Sequence, residues 1–210
     1  MNHPLLPFPS NTTGTMQVIR TNQTSPRATG LAVSLLLSGG LLFAPHFAHA
    51  QSAQPYSLQL AALFTSFDNG GASVGGFGVE PQFRLNRLYS TDGFGALSLG
   101  IGGQFTSHSR GGDNLKISGV FLEPRWVPAL KSNTVFPYLS ARLAFLRQTN
   151  NFEAPTSSGN GFGAGGGLAI KLTKTTNLDA GVQLVRQKFS DLKAFTTYTA
   201  KVGFSVGFPR

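Results

Sequence analysis

From Gln51 onward, apolar side chains recur at every second position, the period that places them all on one face of an extended strand. The last segment is the clearest. Thr196, Tyr198, Ala200, Val202, Phe204, Val206 and Phe208 share one face, and Thr197, Thr199, Lys201, Gly203, Ser205 and Gly207 share the other. The first segment repeats this, with Tyr56, Leu58, Leu60, Ala62 and Phe64 against Ser57, Gln59, Ala61 and Thr65. The second sets Phe77, Val79, Phe83 and Leu85 against Gly76, Gly78, Glu80, Gln82 and Arg84, and the third sets Leu97, Leu99, Ile101 and Phe105 against Ser98, Gly100, Gly102 and Gln104. In the fourth, Val120, Leu122 and Trp126 oppose Glu123, Arg125 and a Phe121 that the alternation does not explain. The fifth places Leu139, Ala141, Leu143 and Phe145 against Tyr138, Ser140 and Arg142. The sixth places Phe162, Ala164, Leu168, Ile170 and Leu172 against Gly163, Gly165 and Lys171, and the seventh Leu178, Ala180, Val182 and Leu184 against Asn177, Asp179 and Gln183.

Eight alternating segments of about ten or more residues, joined by Gly/Asn/Asp/Ser/Thr turns and with no competing helical period, predict an all-β fold. The specific expectation is an eight-stranded antiparallel up-and-down transmembrane β-barrel. If the first strand starts in the periplasm, the connections near 66–72, 107–113, 148–160 and 188–193 lie outside, and those near 87–92, 130–133 and 173–176 lie inside. The longest, Gln148 to Asn160, then falls on the outer side. A soluble, lipocalin-like barrel would turn its apolar face inward and cover its outside with Lys and Glu. Here the polar face is mainly Gly, Ser, Thr, Gln and a few opposed charges, which suits a crowded lumen. Tyr56, Phe64, Phe105, Trp126, Phe145 and Phe208, at strand ends, are expected to form interfacial girdles. Pro81, Pro124 and Pro137 each lack a ladder donor and are expected at rims or bulges toward the periplasmic ends of their strands. The pieces Val79-Glu80-Pro81-Gln82-Phe83 and Leu122-Glu123-Pro124-Arg125-Trp126 echo each other.

Ahead of the alternating region, residues 31–44 form an apolar run preceded by Arg20 and Arg27 and followed by Ala48-His49-Ala50. This is the layout of a secretory signal peptide cleaved after Ala50, giving a leader at 1–50 and a barrel domain at 51–210. The run is too short for a membrane-spanning helix, and it ends at Pro45. The long region before it allows translation to begin at either Met1 or Met16. The absence of cysteine removes lipoprotein anchoring, disulfides and thiolate chemistry. After Ala50 there are fifteen basic and eight acidic residues, a formal +7. The charges are scattered singly, so the expected partners are outer-membrane lipid and anionic lipopolysaccharide rather than nucleic acid.

These segments resemble the small outer-membrane β-barrel superfamily that includes the OmpA transmembrane domain, OmpW and opacity-type proteins. The resemblance covers the whole chain after the leader. Its sharpest element is a C-terminal insertion signal of the form polar-x-Gly-x-x-Φ-x-Φ, filled by Lys201, Gly203, Val206 and Phe208. That implies the outer-membrane assembly machinery as a partner and the cell outer membrane as the destination. Members of the superfamily usually stop at the terminal aromatic, whereas Pro209 and Arg210 follow here. Pro137-Tyr138 opening the fifth strand also resembles these proteins.

Candidate chemistry lies on the inward face. Glu80, Arg84, Glu123, Arg125, Arg142, Lys171, Asp179 and Lys201 all take it, and unpaired charges there would be costly to desolvate. They are expected to pair as a static lumen network, with Glu123 diagonally close to Arg142; a gate or proton path is the functional alternative. His108, the one histidine after residue 50, is flanked by Ser107 and Ser109, with Glu123 further on, which invites an esterase triad. Barrel lipid A deacylases place the Ser two positions after the His, and here that position is Arg110. With His108 expected at a loop edge, catalysis is not expected. The runs Gly100-Ile101-Gly102-Gly103 and Gly163-Ala164-Gly165-Gly166-Gly167 precede no helix, so they are read as strand glycines that fit the lumen, not phosphate loops. No cofactor or metal site is expected. The resulting function is a structural or surface-interaction protein of the outer membrane without enzymatic activity. A narrow passage for small or apolar compounds and a lipid-modifying enzyme are the alternatives.

Overall fold

The computed structural model describes residues 54–68, 73–110, 113–130, 132–150, 156–190 and 194–208. The expected leader at 1–50, as well as Pro209 and Arg210, lies outside the described residues. Eight strands follow one another: β1 (Tyr56–Asp68), β2 (Ser73–Thr91), β3 (Gly95–Arg110), β4 (Asp113–Val127), β5 (Val135–Asn150), β6 (Ser157–Lys171), β7 (Thr176–Phe189) and β8 (Phe195–Phe208). Each pairs antiparallel with the next, and β8 returns to β1 from Tyr56↔Phe208 to Phe67↔Thr197, closing the barrel. Closure removes the open sheet edges on which strands aggregate.

The strands run further than the expected loop limits allowed. Residues 107–110 belong to β3, 148–150 to β5 and 157–160 to β6, so the connection expected at Gln148–Asn160 shrinks to 151–156. The longest connection between strands is instead 128–134, at the end of the barrel that carries Tyr56 and Phe208. We call this the terminal end, and the opposite one the loop end. The turn expected at 87–92 moves to 92–94 because β2 continues through Thr91, with two extra residues absorbed between Leu85↔Leu99 and Tyr89↔Leu97. Gly95 closes this hairpin at φ +97°, where a Cβ would also meet the Val127 carbonyl oxygen.

Pro81 and Pro124 depart from the rim positions expected of them. Both lie within strands and face outward, and the ladder skips two rungs on one side of each without changing register. Loss of one hydrogen bond within an otherwise paired strand is tolerated here because register is held by the flanking rungs Val79↔Phe105 and Gln82↔Gly102, and by Leu122↔Leu143 and Arg125↔Ser140. Pro137 is near the start of β5, at the terminal end.

The two faces divide as the alternation predicts. Outside, large apolar side chains stand free, from Leu60 (62% exposed) and Phe64 (61%) on β1 to Phe77 (71%) on β2, Phe162 (65%) on β6 and Phe204 (56%) on β8. Described outward charges occur only near the two rims. Near the terminal end, Trp126 donates to the Phe94 carbonyl at 2.9 Å and packs on the Phe94 ring, while Tyr56 stacks on Phe83. The lumen is filled. A polar core of charged and amide side chains occupies its middle, and Ile117, Phe121, Ala144, Leu146 and Phe189 cluster beyond it toward the loop end.

Candidate functional site

Seven of the eight inward charges converge on one buried network. Glu123 is fully buried at its centre. Its Oε1 meets Arg84 Nη2 at 2.7 Å and Arg125 Nη2 at 3.4 Å, while its Oε2 meets Arg142 Nη2 at 2.8 Å and Lys201 Nζ at 3.0 Å. Glu80 takes the other side of two of these cations, at 2.7 Å from Arg142 and 3.5 Å from Lys201. Asp179 completes the set, pairing with Arg125 Nη1 at 2.7 Å and accepting a 2.7 Å hydrogen bond from the Tyr138 hydroxyl. Three carboxylates and four cations therefore share one interior. Burial of that many charges is tolerable only where each has partners on more than one side, since a single uncompensated ion in the interior is strongly destabilising.

The strands explain why these residues meet. Glu80 and Glu123 each precede a proline in the two echoing segments, and each such pair turns its carboxylate inward while its proline faces out. The flanking rungs Leu122↔Leu143 and Arg125↔Ser140 set Glu123 directly across from Arg142, not diagonally as expected. Closure of β8 onto β1 carries Lys201 round to both carboxylates, a contact that no hairpin of neighbouring strands provides. Amides fill the remaining valences: Gln82 accepts from Arg84 at 2.9 Å, Gln104 from Arg142 at 3.3 Å, and Gln183 donates to Glu123 at 3.4 Å.

Lys171 does not join. It has the inward parity, but it is the last residue of β6 and lies exposed at the terminal rim, where water solvates it and no pairing is required. Phe121, unexplained by the alternation, has a partner instead: its ring lies beneath the Arg142 guanidinium, 3.8 Å from centroid to Cζ. Tyr138 holds Arg125 in the same way at 3.8 Å. Both rings need missing side chains opposite them. A Cβ on Gly102 would lie 2.5 Å from the Phe121 ring, and one on Gly181 would lie 2.5 Å from the Tyr138 hydroxyl. The two glycine runs thus lie on strands, as expected, with Gly102 and Gly167 among the positions facing lumen aromatics.

His108 is buried inside β3, not at a loop edge. Its Nε2 and Thr65 Oγ1 share a 2.7 Å hydrogen bond, and the Phe67 ring meets it edge-on at 5.1 Å. Ser107, by contrast, is on the outward-facing set and donates to Asn114 at 3.0 Å, and Glu123 is committed to its four cations. The three residues of the suspected triad do not assemble.

Sequence reasoning missed the apolar stopper. Leu63, Phe67, Ile117, Leu146, Val185 and Phe189 all point inward toward the loop end, and Phe195 packs against Phe67 at 4.9 Å and Phe189 at 5.9 Å. On the other side of the network, a small recess opens at the terminal end, lined by Ser57, Asn86, Asn177 and Ser205 and floored by Arg84, Arg125 and Asp179. Among the described residues no cluster of metal-ligating side chains occurs.

No protein-family model matches the chain, and no curated protein matches it. Solved structures do. Neisserial surface protein A superposes with a TM-score of 0.63 at 20% identity, over 75% of this chain and all of that one. Ail, the attachment invasion locus protein of Yersinia pestis, gives 0.46 at 16% identity over 74% of this chain and 99% of its own. The N-terminal barrel domain of Pseudomonas aeruginosa OprF gives 0.45 at 17% identity over 72% and 98%. Eight antiparallel strands closed β8 to β1, with an apolar exterior and a packed polar interior, give this chain the fold of the small eight-stranded outer-membrane barrels.

Proposed function

We propose that the protein is an integral outer-membrane barrel with its loop end facing outward, serving a structural or surface-interaction role without enzymatic activity. The observation that carries this reading is the pairing of a stripped apolar exterior with a stoppered interior. A wall bearing Phe77, Phe162, Leu60 and Phe204 exposes far more contiguous apolar surface than water-soluble monomers carry, and lipid is the solvent that suits it. Strands of 13 to 19 residues exceed the ~9–11 that cross a bilayer, so their ends project beyond the hydrocarbon and present the connections to the outside. Inside, the network around Glu123 and the cluster around Phe189 occupy successive levels of the lumen. An eight-stranded barrel has room for side chains and little else.

The test is conductance. Purified protein inserted into planar bilayers is expected to give no steady single-channel current, whereas reproducible openings would replace this reading with that of a narrow passage.

A further inference from the structure

We infer that the outer face of β4 to β7 at the loop end is a binding strip for the phosphorylated glycolipid of the outer leaflet. The inference rests on the membrane orientation proposed above, and it adds the ligand class and the residues.

Four cations stand there on the lipid-facing side: Lys116 on β4, Arg147 on β5, and Arg186 and Lys188 on β7, all exposed. Register makes them neighbours. Lys116 is opposite Thr149, two residues along the same face from Arg147; Lys188 is opposite Asn160, which lies two along from Ser158, the partner of Arg147. With strands about 4.8 Å apart, the arc from β4 to β7 is roughly 14 Å wide. None of the four makes an ion pair or side-chain hydrogen bond among the described residues, and no described aspartate or glutamate side chain faces outward on these strands. At the same end, the other half of the barrel presents hydroxyls outward, among them Thr196, Ser66, Ser73 and Ser107. Among the described side chains, the charge at this end is therefore one-sided.

What lies beneath the cations selects a lipid over a soluble anion. Phe145 directly faces Asn160, Phe162 directly faces Arg186, and Val120 faces Phe145. Phe145 and Phe162 are each 65% exposed and Val120 59%. A ledge of large apolar side chains under a row of cations that pair with no described residue matches a molecule with phosphates above acyl chains. Basic residues at a membrane surface attract anionic headgroups additively, and arginine adds paired donors for phosphate oxygens.

The experiment uses refolded protein in phosphatidylcholine nanodiscs, with bound lipid counted by native mass spectrometry after exposure to bis-phosphorylated lipid A or to the same lipid dephosphorylated. Wild type is expected to retain the phosphorylated form preferentially. A variant carrying Lys116→Gln, Arg147→Gln, Arg186→Gln and Lys188→Gln is expected to bind it about tenfold or more weakly. A control at the opposite rim, Arg87→Gln with Lys171→Gln and Lys174→Gln, should bind as wild type does. The double variant Arg147→Gln with Lys188→Gln should fall between, and it serves if the fourfold variant does not fold. Equal retention of both lipids by wild type, or equal binding by wild type and the folded strip variants, would overturn the inference. Failure of wild type to form a heat-modifiable barrel in the discs would instead count against the membrane reading itself.

Discussion

Glu123 is the residue on which the interior depends. It touches four cations, whereas Arg142 and Lys201 each touch two carboxylates, so its removal leaves the largest uncompensated charge. Replacing Glu123 by Ala is expected to lower stability by about 3–5 kcal/mol in denaturant unfolding of the refolded protein. Arg142→Ala is expected to be costly too, because it strands Glu80 as well as part of Glu123. The double variant should lose clearly less than the sum of the two, since each single change already breaks their 2.8 Å contact. Additive losses would show that the contact contributes nothing. Most of these residues were legible in the sequence, because parity alone puts Glu80, Arg84, Glu123, Arg125, Arg142, Asp179 and Lys201 on one face. Their pairings were not. Lys201 reaches Glu123 only through barrel closure, and Phe121 seats Arg142 only because Gly102 leaves room.

At the level of the strand, alternation gave the right face in every segment but stopped short near the loop end. There the strand ends carry polar residues on both faces, as in Ser107-His108-Ser109 on β3 and Gln148-Thr149 on β5, and the hydrophobic period fades just where the strands continue. Extending the same parity through residues 107–110 and 148–150 recovers His108 and Gln148 as inward residues. The final strand makes the next prediction. β8 ends at Phe208, paired with Tyr56 at the barrel seam, and the expected insertion signal ends on the same residue. Phe208→Ala should therefore reduce the folded fraction in membranes much more than deletion of Pro209 and Arg210, since proline offers no amide to prolong the ladder. Gel mobility before and after boiling measures that fraction for wild type, Phe208→Ala and the truncation. Normal assembly of Phe208→Ala alongside failure of the truncated chain would refute the assignment of the signal.

The whole molecule pairs an inside that resists water with an outside that rejects it. Formal charge after residue 50 is +7, yet the described charges are sorted: paired ones in the lumen, free ones at the rims, and none on the apolar wall between. That sorting is what an eight-stranded membrane barrel requires, because charge on the lipid-facing midsection is expensive while a narrow lumen accepts charge only in pairs. The most direct check is to express the full chain in a bacterium with an outer membrane, extract the washed outer-membrane fraction, and compare gel mobility with and without boiling. A heat-modifiable band in that fraction, beginning after the expected leader, is the predicted result. Protein recovered in the soluble periplasmic fraction, with mobility unchanged by boiling, would contradict the account.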